Sequence, residues 1–157
     1  MRRKERQVTD AEEIKDVLEK SFALHLGIND NGHIYLVPVN FGYSAENGKY
    51  IFYFHGAKDG RKYNLLKNGA LVAFECESDF SLLEGQTACD YSAYYASVIG
   101  EGNVSQIENN EEKKFALNLI MKKASGKNDW FYPALMLSKV AVFKLEATEL
   151  SCKKHKQ

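Results

Sequence analysis

The sequence predicts a mainly β domain with flanking helices, its antiparallel strands closed or nearly closed into a barrel. Three observations carry this expectation. Aromatic residues make up 12% of the chain, with nine Tyr and nine Phe, and many fall in the extended-looking runs that strands favour. Two turn signals, Asn29-Asp30-Asn31-Gly32 and Ala45-Glu46-Asn47-Gly48, separate short apolar runs. Long helical patterns are few, which leaves about six strands to make the core, with helices at the barrel edges.

The elements follow in order. Thr9 and Glu12 stand in capping-box spacing, and Ile14, Val17 and Leu18 then form one apolar helical stripe ending near Ser21. Phe22 to Ile28 reads as a short strand. Ile34 to Tyr43 is the next, interrupted by Pro38, and Lys49 to Phe54 is a strand apolar on both faces. With their tight turns these three predict an antiparallel meander. The second face of Lys49 to Phe54 needs a cover, and a second subunit would supply it. Asp59 is placed to cap a helix through Leu65 and Leu66, which Asn68-Gly69 ends. Ala70 to Glu77 is a strand, and Ser78 to Asp90 has no clear pattern. Tyr91 to Ile107 is extended, with Gly100 and Gly102 marking a bend or bulge. Asn110 to Lys123 is helical, with Phe115, Leu119 and Ile120 expected in the core. Tyr132 to Ser138 reads as a short helix and Lys139 to Ala147 as the last strand.

The 157 residues suggest one domain, residues 1–157, and 45% hydrophobic content supports a real core. Acids and bases balance at 21 each, which argues against a nucleic-acid partner. The cations gather at Arg2 to Arg6, Lys58 to Lys62 and Lys153 to Lys156, and the two end clusters read as solvated termini. Three cysteines, an odd number without metal-like spacing, argue against a disulfide framework. Cys76 reads as a small core residue. The four histidines do not form a metal set. With no signal peptide and no apolar run of transmembrane length, a soluble cytoplasmic protein is expected, with no membrane partner.

Four constellations could carry chemistry. In Tyr53-Phe54-His55-Gly56-Ala57-Lys58-Asp59-Gly60-Arg61-Lys62 a strand runs into a helix whose first turn is crowded with cations. Helix dipoles disfavour cations there, so the arrangement suits a bound anion, with Arg61 and Lys62 as ligands to a phosphate. A solvated surface turn is the plainer reading. Val37-Pro38-Val39-Asn40-Phe41 lacks one ladder donor at Pro38. It either offers backbone groups to a flat polar ring or is an edge strand protected against pairing. His55 precedes Gly56, so its ring could meet a ligand that the glycine admits closely; alternatively it bonds the backbone. Ser97, in Tyr94-Tyr95-Ala96-Ser97-Val98-Ile99-Gly100-Glu101-Gly102, is either a ligand donor or a solvent-facing hydroxyl. Trp130, Phe131 and Tyr132 suit a flat ligand or, better, a subunit interface. There is no nucleophile elbow, dinucleotide fingerprint or Walker loop.

Together these pieces resemble the FMN-binding split-barrel superfamily, most closely its 5-nitroimidazole resistance (Nim-type) branch, related to pyridoxamine 5'-phosphate oxidase. The carriers are Met1-Arg2-Arg3-Lys4-Glu5-Arg6, Val37-Pro38-Val39-Asn40-Phe41-Gly42-Tyr43, Phe54-His55-Gly56-Ala57-Lys58-Asp59-Gly60-Arg61-Lys62, and Ser97-Val98-Ile99-Gly100-Glu101-Gly102. The resemblance implies an antiparallel split β-barrel and a homodimer with FMN at the subunit interface. It implies phosphate anchoring by Arg61 and Lys62, backbone contacts to the ring from Val39, Asn40 and Gly56, and Pro38 and Ala57 as further cofactor-binding positions. Ser97 matches a flavin-contacting position, and His55 is the candidate catalytic group that tunes or protonates near the ring. Asn40 stands where the oxidases have a lysine and Tyr35 where they have an arginine, so this chain has fewer cations. The oxidases' C-terminal Trp/Arg segment is replaced by Ser151-Cys152-Lys153-Lys154-His155-Lys156-Gln157, which argues against vitamin B6 oxidation. The implied activity is an FMN-dependent oxidoreductase passing electrons from a reduced nicotinamide donor to a small acceptor such as a nitro compound. The alternative is a flavin or haem carrier or sensor without turnover.

Overall fold

The chain begins with a single 3-10 turn at Lys4–Arg6 and a two-residue strand β1, Gln7–Val8. The computed structural model describes residues 3–155. Met1 and Arg2 of the opening motif, and Lys156 and Gln157 of the basic tail, lie outside the described residues. Helix α1 (Ala11–Lys20) is capped by Asp10 rather than Thr9: the Asp10 carboxylate accepts from the amides of Glu12 and Glu13 at 3.0 and 2.9 Å. The expected stripe of Ile14, Val17 and Leu18 is buried. At the other end the Ser21 hydroxyl donates to the Val17 carbonyl at 2.7 Å.

Two hairpins follow. Strand β2 (Leu24–Asp30) pairs with β3 (His33–Val39), and β4 (Phe41–Glu46) pairs with β5 (Lys49–Ala57). Both are closed by Asn-Gly, with positive φ at Asn31, Gly32, Asn47 and Gly48, the backbone that primed two-residue turns require. The predicted Ile34-to-Tyr43 strand is therefore two strands. They part at Asn40 and pair with different neighbours, so the hairpins do not form one meander.

Helix α2 (Gly60–Leu66) leads to β6 (Ala70–Leu83), which runs into the first part of the stretch that had no clear sequence pattern. It bends where its pairing with β7 (Ser92–Ile107) shifts, between Ser78 and Ser81. Helices α3 (Asn110–Ser125) and α4 (Ala134–Lys139) precede β8 (Val140–His155). Strand β8 is longer than predicted and takes up most of the basic tail. Cys152 is buried, β1 pairs beside it, and Lys154 lies 3.5 and 3.6 Å from the carboxylates of Asp16 and Asp79. The tail up to His155 is thus sheet, not a solvated terminus. The β7–β8 register shifts between Glu101 and Gly102, the irregularity that the two nearby glycines predicted.

The eight strands form one antiparallel sheet with the path β3-β2-β6-β7-β8-β5-β4, β1 joining β8. The path begins and ends on β3 and β4, which do not pair. The barrel is therefore split, and Asn40 bridges the split. Pro38 lies on an edge strand, where its missing donor costs least. The interior holds Phe41, Phe52, Phe54, Phe74 and Phe143, all nearly inaccessible. Phe52 packs on Phe74 at 4.8 Å and Phe54 on Phe143 at 5.3 Å, and burying each such ring is worth about 1.5–3 kcal/mol.

Strand β5 is apolar on both faces, as expected, but its cover comes from within the chain. Tyr50, Phe52 and Phe54 face the barrel interior, while Ile51 and Tyr53 join Ala116, Leu117 and Ile120 of α3. Helix α3 approaches so closely that a Cβ on Gly42 would sit 2.5 Å from the backbone of Leu119 and Ile120. Phe115, predicted in the core, is half exposed and meets Tyr53 edge-on at 5.8 Å. Ile120 is buried as expected and Leu119 packs partly buried beside it, while Lys113, Ala116 and Leu117 are the other buried α3 positions. The uncovered apolar surface lies elsewhere, at Ile34 and Leu36 of β3, Leu71 of β6 and Ile99 of β7. No helix among the described residues is long and apolar enough to cross a membrane.

Candidate functional site

Strand β5 ends at Ala57, still paired with Val140 of β8, and the chain turns through Lys58 and Asp59 into α2. Gly60 has φ +83°, which a side chain would strain. Asp59 occupies the capping position but makes no side-chain bond to the helix. That helix has only seven residues, so the charges of its first turn matter more than a macrodipole.

The cations do not converge. The Arg61 guanidinium donates through Nε and Nη2 to one Asp30 oxygen, at 2.8 and 2.7 Å, and lies 4.5 Å over the Tyr35 ring. Its charge is already answered by the β2–β3 hairpin. Lys62 turns back over the end of β5 and donates to the His55 carbonyl at 3.2 Å. Among the described residues no carboxylate lies within ion-pair distance of it. Burial holds its amine below the ordinary lysine value. Lys58 is exposed.

Gly56 explains how Lys62 fits. A Cβ there would lie 3.0 Å from Nζ and 3.1 Å from Cε of Lys62, so any larger residue would push the amine aside. Side chains alternate along a strand, so His55 points to the other face of β5, the face of Tyr53 and of its β8 partner Val142. Burial first, and the Lys62 charge second, hold its imidazole below the ordinary histidine value, neutral at pH 7. It keeps an exposed edge.

Asn40 belongs to the same end. The β4–β5 ladder closes at Phe41 opposite Phe54, so Asn40 and His55 are the next residues on the two chains. Val39 is buried opposite Leu24, and Pro38 is exposed opposite His25. The structure thus brings Pro38, Val39, Asn40, His55, Gly56, Ala57 and Lys62 to one end of the split, with Arg61 turned aside. Ser97 is not there. It pairs with Lys153 of β8, whereas His55 pairs with Val142, about 35 Å earlier along that extended strand. Trp130 donates to the Lys127 carbonyl at 3.0 Å and Tyr132 to Asn118 at 3.0 Å, while Phe131 is exposed.

Sequence reasoning missed Asp30 and Tyr35 as the partners of Arg61. Asp30 read only as a turn residue, and no local spacing joins residues 31 positions apart. The acidic turn beside a basic loop was the one available signal.

Comparison with curated proteins gives no match. Among solved structures the chain is similar to a candidate 5-nitroimidazole antibiotic resistance protein from Bacteroides thetaiotaomicron. The two are 28% identical with a TM-score of 0.81, over 94% of this chain and 86% of that one. It is also similar to a flavocytochrome from Azotobacter vinelandii, at 21% identity and a TM-score of 0.80, over 100% of this chain and 72% of that one. A FAD and heme binding protein from Mycobacterium smegmatis is 16% identical with a TM-score of 0.82, over 97% of this chain and 74% of that one. These last two likenesses speak for the fold alone. The family model described as pyridoxamine 5'-phosphate oxidase matches residues 10–154, from the cap of α1 almost to the end of β8. With its split antiparallel barrel, the chain belongs to the pyridoxamine 5'-phosphate oxidase family.

Proposed function

We propose that this protein binds FMN at the split end of the barrel and works as a homodimeric oxidoreductase. It would pass electrons from a reduced nicotinamide donor to a small acceptor such as a nitro compound. The observation that carries the reading is Lys62, a half-buried amine without a carboxylate partner, seated in the space that Gly56 leaves open. A desolvated cation without a counter-ion is costly, and the phosphate of a flavin nucleotide would supply one. Bound FMN would supply hydride and electron transfer. The chain's own part is to anchor the phosphate through Lys62 and to hold the ring against the backbone of Pro38, Val39, Asn40, Gly56 and Ala57. The neutral His55 can donate or accept one proton at the ring edge.

Arg61 fits this role only by sharing its guanidinium. Asp30 uses Nε and one side of Nη2, which leaves Nη1 free for an anion. Ser97 can reach the site only from a second copy, since its own lies on β7 opposite Lys153, far from the split end. The exposed Ile34, Leu36 and Leu71 offer an apolar face for that copy. The nitro acceptor is favoured by the likeness to the Bacteroides protein. The test is titration of the purified protein with FMN followed by steady-state assay with NADH or NADPH and a nitroimidazole. Saturable binding and donor-dependent reduction are expected.

A second reading, a flavin or haem carrier without turnover, is favoured by the neutral imidazole of His55. A Soret band in the purified protein would select haem, and bound FMN with no turnover would select the flavin carrier.

A further inference from the structure

We propose that a cavity between the C-terminal ends of α1 and α3, at the break between β3 and β4, binds a small aromatic carboxylate with Lys123 as its cationic anchor. The cavity has a volume of about 260 Å³ and is lined by Phe22, Asn40, Phe41, Ile120 and Lys123, with Glu19 and Lys20 at its rim. It shares only Asn40 with the proposed flavin site and does not rest on that reading.

Lys123 reaches across from α3 to α1. Its amine donates to the Glu19 carbonyl at 2.7 Å and lies 4.8 Å from the centre of the Phe41 ring. A lysine has three N–H donors, and the carbonyl takes one. Among the described residues no carboxylate lies within ion-pair distance of this amine. Burial holds its proton affinity below the ordinary lysine value. The nearby Glu19 charge offsets that burial in part without reaching ion-pair distance, whereas Lys62 at the other site has burial alone.

The rest of the lining sets the chemistry of the ligand. The Asn40 side chain has no hydrogen-bond partner among the described residues and can donate to a second carboxylate oxygen. Phe22 is 88% exposed at the mouth, and Phe41 and Ile120 line the cavity beside the amine, so the lining is apolar enough to suit a ring. The volume lies below the range of sites for drug-sized ligands, which limits the occupant to about one ring and a carboxylate. Lys20 adds no free charge, since it lies 2.8 Å from Asp16 and 3.6 Å from Asp79. The Glu19 carboxylate opposes an anion here, and that gives the proposal a test of sign.

The test is titration of the full-length protein with benzoate, followed by NMR shifts, beside benzylamine as a probe of similar size and opposite charge. Saturable benzoate binding is expected, with no comparable binding of benzylamine. Lys123→Met should weaken it by roughly tenfold or more, Lys123→Arg should retain it, and Glu19→Gln should tighten it severalfold. Glu19→Gln keeps the carbonyl that Lys123 bonds, so it decides the matter if Lys123→Met fails to fold. Three results would each overturn the proposal: equal binding of the two probes, unchanged affinity in folded Lys123→Met, or weaker binding in Glu19→Gln. So would the absence of saturation below about 20 mM.

Discussion

Lys62 and Arg61 are neighbours in sequence with opposite circumstances in the fold. Arg61 has a carboxylate and an aromatic face; Lys62 has one carbonyl and a glycine. Lys62→Ala should therefore weaken FMN binding by roughly ten- to a hundredfold, the worth of a charge-assisted bond, while Arg61→Ala costs less because Asp30 already competes for that charge. Fluorescence titration checks both, and equal losses would mean that Arg61 leaves Asp30 on binding. Gly56→Ala should weaken FMN binding with little effect on stability, because the atom it meets is the free end of a lysine. His55 gives a pH signature. Its folded value is held below the ordinary one, so in acid the unfolded chain takes up this proton first. Stability is complete above about pH 6.5 and falls as pH drops below it. His55→Gln should flatten that slope in urea melts recorded between pH 5 and 7.5.

The elements differ in how legibly the sequence announced them. The Asn-Gly turns and the α1 stripe could be read because their signals are local: a positive-φ turn needs those residues, and a helix repeats its apolar face within two turns. The α1 cap was misplaced by one residue, since Thr9 and Asp10 are both good caps and only geometry chooses. The break of β3 from β4 was half legible in Pro38. The change of strand partner at Asn40 was not, because pairing is non-local. The core face of α3 was misjudged for a similar reason. Phe115 is the more apolar residue, yet the face of α3 that packs on β5 carries Ala116 and Ile120, which leaves Phe115 at the flank. Helix α3 approaches closely at Gly42, so Gly42→Val should destabilise the protein by at least about 2 kcal/mol, the usual cost of overpacking, measured by denaturant unfolding. A neutral result would mean that α3 can ride off the sheet.

At the scale of the molecule, the split sheet brings Asn40, His55, Gly56 and Lys62 together from two hairpins and a short helix. The placement of Val39, Asn40, His55 and Gly56 at the split end was legible because they flank strand ends in the sequence itself. The partners of Arg61 and the distance of Ser97 were not, because they depend on where β2 and β8 run. Two buried thiols, on β6 and β8 with β7 between them, add a global prediction. Burial pushes Cys76 and Cys152 up to about 11, from an ordinary 9.0. The unfolded chain gives up these protons first, so stability should fall as pH rises from 9 to 11, and Cys76→Ala should reduce that fall in melts across the window. The dimer reading belongs to this scale too: Leu36→Glu on the exposed β3 face should yield monomers in sedimentation and lower FMN affinity together.

The most direct measurement is a titration of the purified full-length protein with FMN, read by absorbance and flavin fluorescence, beside Lys62→Ala. Saturable binding near one FMN per chain is expected, weakened roughly ten- to a hundredfold by the substitution. A protein that shows no flavin bands and takes up no FMN, or one that binds it equally well without the Lys62 amine, would contradict the account.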